Sequence, residues 1–275
     1  MKNSVNRFAN AVVGGLTALV QGLPPSVVLM VHALAIAVIA VTVYALVSNQ
    51  RIIKQRKNRM IARLLEIRLF HEDPIAVLGS FRRVLGGILS YMGASLKPLL
   101  ILVPVILVWV AHLAGWFEWR PLAPGEAAVV TLKLNPGVSP VAQPASLEAP
   151  AGFAVETPAF RSLAINEISW RIRAQQPGRG ALHLTAAAST AEKEIVAGTT
   201  LAKVSPEKVR DGFWSRVLSP WEPSLGKDSP FSEIRIAYPR RTLKFFGWEI
   251  NWLVALLIGS IVLALVVKKP FGVEF

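Results

Sequence analysis

Three stretches of the chain are apolar for long enough to decide its class. They run from Ser26 to Ser48, from about Leu96 to Phe117 and from about Ile250 to Val267, and none contains an acidic residue. Each approaches the twenty or so residues that an α-helix needs to cross a hydrocarbon core of about 30 Å at 1.5 Å per residue. Unpaired backbone cannot be solvated in hydrocarbon, so the pattern predicts three transmembrane helices, over residues 26–48, 96–117 and 250–267. Ahead of them Val5, Phe8, Val12, Leu16 and Leu19 recur at helical spacing. This predicts an amphipathic helix at the interface within residues 1–25. A secretory signal peptide is the alternative there, but Gly14-Gly15 and Gln21 dilute its apolar centre and a span follows at once.

Between the first two spans the period stays helical. Ile53, Met60, Leu64 and Ile67 form one stripe, Pro74 predicts its end, and Ile75, Leu78, Phe81, Leu85, Leu89 and Met92 form another. Residues 49–95 are therefore expected to be a helical hairpin. The second span is expected to open at Lys97-Pro98, since proline suits a first helical turn, with Lys97 snorkelling to the interface. Pro104 lies deeper and predicts a kink. Trp109, Trp116 and Trp119, with His112 among them, mark the far interface.

After Arg120 the period falls to two. Alternation is visible in Ala128 to Leu134, Ile168 to Ala174, Ala181 to Ala187 and Ile234 to Tyr238, and Gln176-Pro177-Gly178 is expected to be a hairpin turn between two of these runs. Residues 118–249 thus predict a β-sandwich-like domain. One helix is expected within it, capped at Ser205-Pro206-Glu207 and running through Val209, Phe213 and Val217. The proline-rich stretch from Asn135 to Pro150 is expected to be an irregular loop. The predicted fold class is a membrane α-helical protein: three spans, a cytoplasmic hairpin, an inserted extracytoplasmic β-domain and a tail over residues 268–275.

Composition agrees: 53% of the 275 residues are hydrophobic and only 17% charged, where a soluble domain carries about a quarter. Charge sets the orientation. Arg51, Lys54, Arg56, Lys57, Arg59, Arg63, Arg68, Arg82, Arg83 and Lys97 outweigh Glu66, Glu72 and Asp73 to give this loop +7 of the chain's +13. Short basic loops stay in the cytoplasm, so the N-terminus and the β-domain are expected outside and the C-terminus inside, in a bacterial inner membrane. The basic loop implies contact with anionic lipid or, as a second reading, with ribosomal RNA through its phosphates, and no sequence-specific nucleic-acid binding.

Motifs that carry chemistry are mostly absent from the chain. There is no cysteine, which excludes disulfides and thiolate chemistry. Neither a phosphate-binding glycine loop, a Gly-x-Ser-x-Gly elbow nor a His-Glu-x-x-His pair occurs. His32, His71, His112 and His183 are scattered, and the cluster His71-Glu72-Asp73 reads as a solvated turn before Pro74. His32, inside a span, reads as a helix-packing hydrogen bond ahead of a transport role. Glu126, Glu156 and Glu167 read as solvated sheet positions. Trp170, Trp214, Trp221 and Trp248 read as core or interface anchors before a sugar platform. No catalytic residue, cofactor or metal is expected.

The span ending in Ser48-Asn49-Gln50, the charged hairpin, Tyr91-Met92-Gly93, Ser95-Leu96-Lys97-Pro98 and the Pro104-bearing second span together resemble the YidC/Oxa superfamily. The resemblance is to its small three-span, archaeal-type branch, related to the third subunit of the ER membrane protein complex. It covers about residues 1–117 and the last span. It implies a membrane insertase whose hairpin captures nascent membrane proteins and whose polar groove opens to cytoplasm and lipid, with Asn49, Gln50, Ser95, Lys97 and Pro104 as groove candidates. The chain departs from that branch in its inserted domain, in having only four methionines and in lacking an arginine within any span. A second reading is an accessory subunit of an envelope membrane complex, anchored by its spans and docking a partner through the β-domain.

Overall fold

The computed structural model describes residues 4–48, 55, 58, 61–62, 74–141, 144–212, 220–245, 247–269 and 271. They fall into two compact units, residues 29–107 with 253–275 and residues 1–28 with 108–252. Helix α1 is Ser4–Leu19, α2 is Pro25–Val47, α3 is Pro74–Phe117 and α4 is Trp252–Val267. Two of the apolar runs form helices long and apolar enough to cross a membrane, over Pro25–Val47 and Leu96–Phe117. The third forms a helix of only 16 residues. It starts at Trp252 and not at Ile250, because residues 248–250 are taken by a strand.

The boundary expected between the hairpin's second arm and the second span is absent. Residues 74–95 do not form a separate helix that ends before Lys97-Pro98; they continue into the span as one 44-residue helix, about 66 Å long, with Pro98 and Pro104 inside it. Leu85, Leu89, Met92, Leu96, Leu99 and Val103 keep alternating steps of four and three across the junction. With no phase break in the apolar pattern, one helix serves both segments. Pro74 itself stands first in α3, where its missing N–H costs nothing. Of the first arm, Ile53, Met60, Leu64 and Ile67 lie outside the described residues.

Within the first-named unit α2 packs on α4. A Cβ on Gly259 would stand 3.0 Å from Met30 Cε and 3.5 Å from Ala33 Cβ, and Val41 and Tyr44 form a cluster with Ala45 and Ala264. Small residues let the two backbones approach, as in membrane helix pairs. Contacts advance in the same sense along both helices, so α2 and α4 run parallel. The outward side chains of α4, among them Leu257, Ile258, Ile261 and Val262, are exposed and apolar.

The β-rich region belongs to the other unit. Strands β1 (Ala127–Leu134), β2 (Ser146–Glu148), β3 (Phe153–Val155), β4 (Phe160–Ser162), β5 (Glu167–Ala174), β6 (Gly178–Ala186), β7 (Ser189–Ala197), β8 (Glu207–Val209), β9 (Phe231–Ile236), β10 (Leu243–Phe245) and β11 (Trp248–Ile250) follow in order. A six-stranded antiparallel sheet has the order β3-β5-β1-β9-β8, with β4 also on β5. A three-stranded sheet has the order β2-β6-β7, and β10 pairs β11. Inward residues of both larger sheets share one core, with Val130, Leu132, Ile168, Trp170 and Ile172 from the first and Leu182, Leu184 and Ile195 from the second. The period-two reading of these runs follows from this one-sided burial.

Three local expectations are corrected here. Gln176-Pro177-Gly178 is not a hairpin turn: β5 and β6 lie in different sheets, and the segment carries the chain from one to the other. A tight hairpin follows at β6–β7, where Ala187 and Ala188 both take positive φ, at 50° and 54°, as a type I′ turn requires. Ser205 does not cap a helix. Preceding Pro206, it is steered to extended backbone, and residues 207–209 pair with β9 as an edge strand; Phe213 and Val217 lie outside the described residues. The stretch from Asn135 to Pro150 holds a short strand, β2, on β6.

A tryptophan and carboxylate joint ties this domain to the C-terminal end of α3. Val204 N–H donates to Gly115 O at 2.8 Å, and the Trp221 indole donates to Ala111 O at 2.9 Å. A Cβ on Gly115 would meet Trp221 Cδ1 at 2.6 Å, so only glycine permits this approach. Trp119 meets Trp221 edge to face, and Phe117 stacks on Trp252. Glu118 accepts the Trp252 indole at 2.6 Å and lies 3.3 Å from Arg240. Helix α1 joins through Val13 and Thr17, which are buried, and through Asn10, which accepts from Lys203 Nζ at 2.8 Å. Phe8 and Leu19, from its apolar stripe, face outward.

Candidate functional site

Of the groove candidates, Asn49 and Gln50 lie outside the described residues and Ser95 is placed by its backbone alone. Lys97 and Pro104 are both exposed on α3, about 10 Å apart along the helix rise. Of the basic set, Arg51, Lys54, Arg56, Lys57, Arg59, Arg63 and Arg68 are outside the described residues, and Arg82 and Arg83 sit by backbone in the part of α3 ahead of Leu96. What α3 does display there is apolar. Leu85, Leu89 and Met92 are 51%, 64% and 52% exposed. Their stripe continues without interruption onto exposed Leu96, Leu99, Val103 and Leu107.

The densest polar constellation lies in the β-domain and was invisible to periodicity. Along β7, Lys193 occupies an inward register position opposite Leu182, and its ammonium is fully buried. It donates to Glu222 Oε2 at 2.5 Å, to Ser205 O at 2.7 Å and to Ser205 Oγ at 3.0 Å. Burial pulls the Lys193 ammonium below its ordinary range, and the Glu222 carboxylate opposes that pull. Glu222 also accepts the Glu194 N–H at 3.0 Å and lies 3.6 Å from Lys208.

A lysine within hydrogen-bond reach of a serine is the spacing of a nucleophile and its base. Here Ser205 is 2% exposed and its hydroxyl lies within reach of Glu207 O and Glu222 Oε2. The geometry is that of an internal tie. It closes the outer edge of β7, where Glu222 takes the Glu194 N–H and the Tyr238 hydroxyl takes the Val196 N–H at 2.9 Å. Side chains thereby cover donors that an open edge strand would present to another chain.

Beside this tie a cleft of about 490 Å³ is lined by Glu192, Lys208, Ser224, Lys227 and Asp228 among others. Its charges are mixed, and among the described residues no three His, Asp or Glu side chains are grouped to hold a metal. Two of the three predicted sheet carboxylates, Glu126 and Glu156, are engaged in ion pairs, and Glu167 opens β5 opposite Lys133. Glu126 is held below the usual carboxylate range by its bidentate pair with Arg120, at 2.7 and 3.0 Å. Glu156 faces both Arg171 and Arg173. Trp170 is core, Trp221 is in the α3 joint, Trp248 is exposed, and Trp214 lies outside the described residues. His32 and His112 are buried.

No family model matches the chain, and neither a curated protein nor a solved structure is significantly similar to it.

Proposed function

We propose that the chain is a three-span integral membrane protein of YidC/Oxa-like type, a non-enzymatic insertase or membrane chaperone that receives apolar segments of other membrane proteins and passes them into lipid. The observation that carries this reading is the stripe on α3. Exposed Leu85, Leu89 and Met92 sit ahead of the apolar window that starts at Leu96, and their line runs on along the face of the span itself. A plain anchor needs no apolar surface outside the hydrocarbon, where it invites association. A client segment leaving water would find a continuous apolar track from this arm, about 33 Å long, to the bilayer. Asn49, Gln50, Ser95 and Lys97 would hydrate the entrance, lowering the cost of passing polar flanks. No covalent step is required.

Three further features support the three-span topology, with the N-terminus and β-domain outside and the C-terminus inside a bacterial inner membrane. Helices α2 and α4 run parallel, as the first and third spans of such a chain must. Helix α4 exposes apolar residues around its free surface and is followed at once by Lys268 and Lys269, which can snorkel. The loop ahead of α3 carries the basic excess.

An accessory role has its own supporting observation. Phe160, Leu163 and Ile165 are 71%, 68% and 57% exposed at the β4–β5 end of the large sheet, where Lys133 pairs Glu167, far from the α3 joint. Exposed apolar side chains gathered at a sheet end invite association, and an envelope protein is the expected occupant.

The two readings separate in one experiment. A photocrosslinker at Leu89 should capture nascent membrane proteins in native vesicles, and Leu85→Gln, Leu89→Gln and Met92→Gln together should lower client insertion several-fold. All three are surface positions, so stability should hold to within about 0.5 kcal/mol per site. Normal insertion by the triple variant, with loss of function from Phe160→Ser and Leu163→Ser instead, would favour the accessory reading and overturn this one.

A further inference from the structure

Three arginines gather where α3 ends and α4 begins. Arg120 is committed to Glu126 in a two-pronged pair, and Glu126 also accepts the Ala123 N–H. Arg240, whose side chain is 77% exposed, lies 3.3 Å from Glu118, and that carboxylate is taken by the Trp252 indole as well. Arg241 donates its backbone N–H to Glu118 O, but the Nε and Nη2 groups of its guanidinium are buried and have no hydrogen-bond partner among the described residues. Burial and neighbouring Arg120 pull its pKa down to about 10, which still leaves it cationic at neutral pH.

A buried charged donor without an acceptor is among the costlier features a fold can hold. Among the described residues both nearby carboxylates already have partners, so an acceptor from outside the chain would satisfy the fork by parting the side chains that cover it. Nε–H and Nη2–H lie on one edge of the guanidinium and form the fork that takes two oxygens of a phosphate or carboxylate. Depth narrows the choice. Phe117 and Trp252, the last and first residues of the two apolar helices, stack beside Glu118, while Trp248 is exposed, as an aromatic side chain at headgroup level would be.

We infer that the Arg241 fork binds the phosphate of an anionic phospholipid headgroup in the outer leaflet, with exposed Arg240 adding to the local positive potential. This rests on the reading of α3 and α4 as membrane spans. The bound lipid would fix the joint through which the β-domain is held to α3, and it would make the stability of that joint depend on lipid composition.

The test uses the full chain, after alkaline carbonate extraction of membranes. Release at that step would overturn the membrane reading together with this one. Retained protein is purified in phospholipid-free detergent and titrated with phosphatidylglycerol, phosphatidylcholine or inorganic phosphate, followed by native mass spectrometry and thermal unfolding. Phosphatidylglycerol should remain as a one-to-one adduct and raise the melting temperature, and phosphatidylcholine should do so more weakly. Arg241→Gln should weaken phosphatidylglycerol binding about tenfold or more, and Arg240→Gln should weaken it less.

Without lipid, Arg241→Gln should melt no lower than wild type, because it removes an uncompensated charge. A clear fall in its melting temperature would mean that the guanidinium has an internal partner, and would overturn the proposal. So would phosphatidylglycerol binding that is unchanged in Arg241→Gln. Stabilisation by inorganic phosphate equal to that by the lipid would reassign the site to a free anion. Loss of lipid binding alone leaves the membrane reading intact, because carbonate extraction judges that separately.

Discussion

Lys193 is the residue at which this domain departs furthest from simple burial. An inward strand position normally holds an apolar side chain, and here an ammonium takes it, with Glu222 and Ser205 satisfying its charge and donors. The two partners are unequal in what their removal leaves behind. Glu222→Ala strands a buried cation and the Glu194 N–H, and should destabilise the chain by about 3–5 kcal/mol. Lys193→Met combined with Glu222→Leu removes both charges and should cost far less, since apolar replacement of a whole buried pair is often near neutral. Thermal unfolding of the two variants in detergent checks this, and equal losses would show that the pair is not what closes the β7 edge. Gly115 is the counterpart on α3: its missing side chain makes room for Trp221, a relation between residues 106 positions apart that no local pattern announces.

Among the elements, the β6–β7 hairpin carries a correctable flaw. Its turn is Ala187-Ala188, both in the left-handed region, where a non-glycine residue without a polar side chain is disfavoured by about 1–2 kcal/mol. Ala187→Asn with Ala188→Gly supplies the residues a type I′ turn prefers and should stabilise the chain by about 1 kcal/mol or more. An unchanged or lower melting temperature would contradict the turn assignment. The expectation at Gln176-Pro177-Gly178 failed for a related reason. Turn-forming residues mark where a chain changes direction, but not whether the next strand returns to the same sheet. Helix α3 makes the same point for proline, which marks a helix start at Pro74 yet lies inside the helix at Pro98 and Pro104.

At the scale of the whole molecule, the uneven distribution of charge carries the proposed orientation. The proposed topology sets residues 49–95 and the β-domain on opposite sides of the membrane. The chain has no cysteine, so single reporters are unambiguous. Ser80→Cys should be protected from an impermeant thiol reagent added outside intact cells, and Thr190→Cys, exposed on β7, should react. Labelling of both from outside would refute the topology. Helix α1 belongs at this scale too: Asn10 bonds to Lys203 of the domain while Phe8 and Leu19 are exposed, as the proposed place of α1 at a membrane interface requires.

By itself the sequence determined what depends on local period and composition. The apolar runs, the switch to alternation after Arg120, and the strands around Val130, Trp170, Leu184 and Ile234 follow from burial on one face, which repeats every two or 3.6 residues. It also determined the charge asymmetry. Strand β7 escaped that reading because Glu192, Lys193 and Glu194 mask its alternation, and Lys193 finds its counter-charge only when residue 222 is brought beside it. The joint of Gly115, Trp221 and Glu118, the division of β5 and β6 between two sheets and the unpartnered fork of Arg241 were decided by tertiary structure. Each depends on groups distant in sequence meeting at a few ångströms, and hydrogen bonding, charge pairing and close packing act over those distances, whatever the separation along the chain.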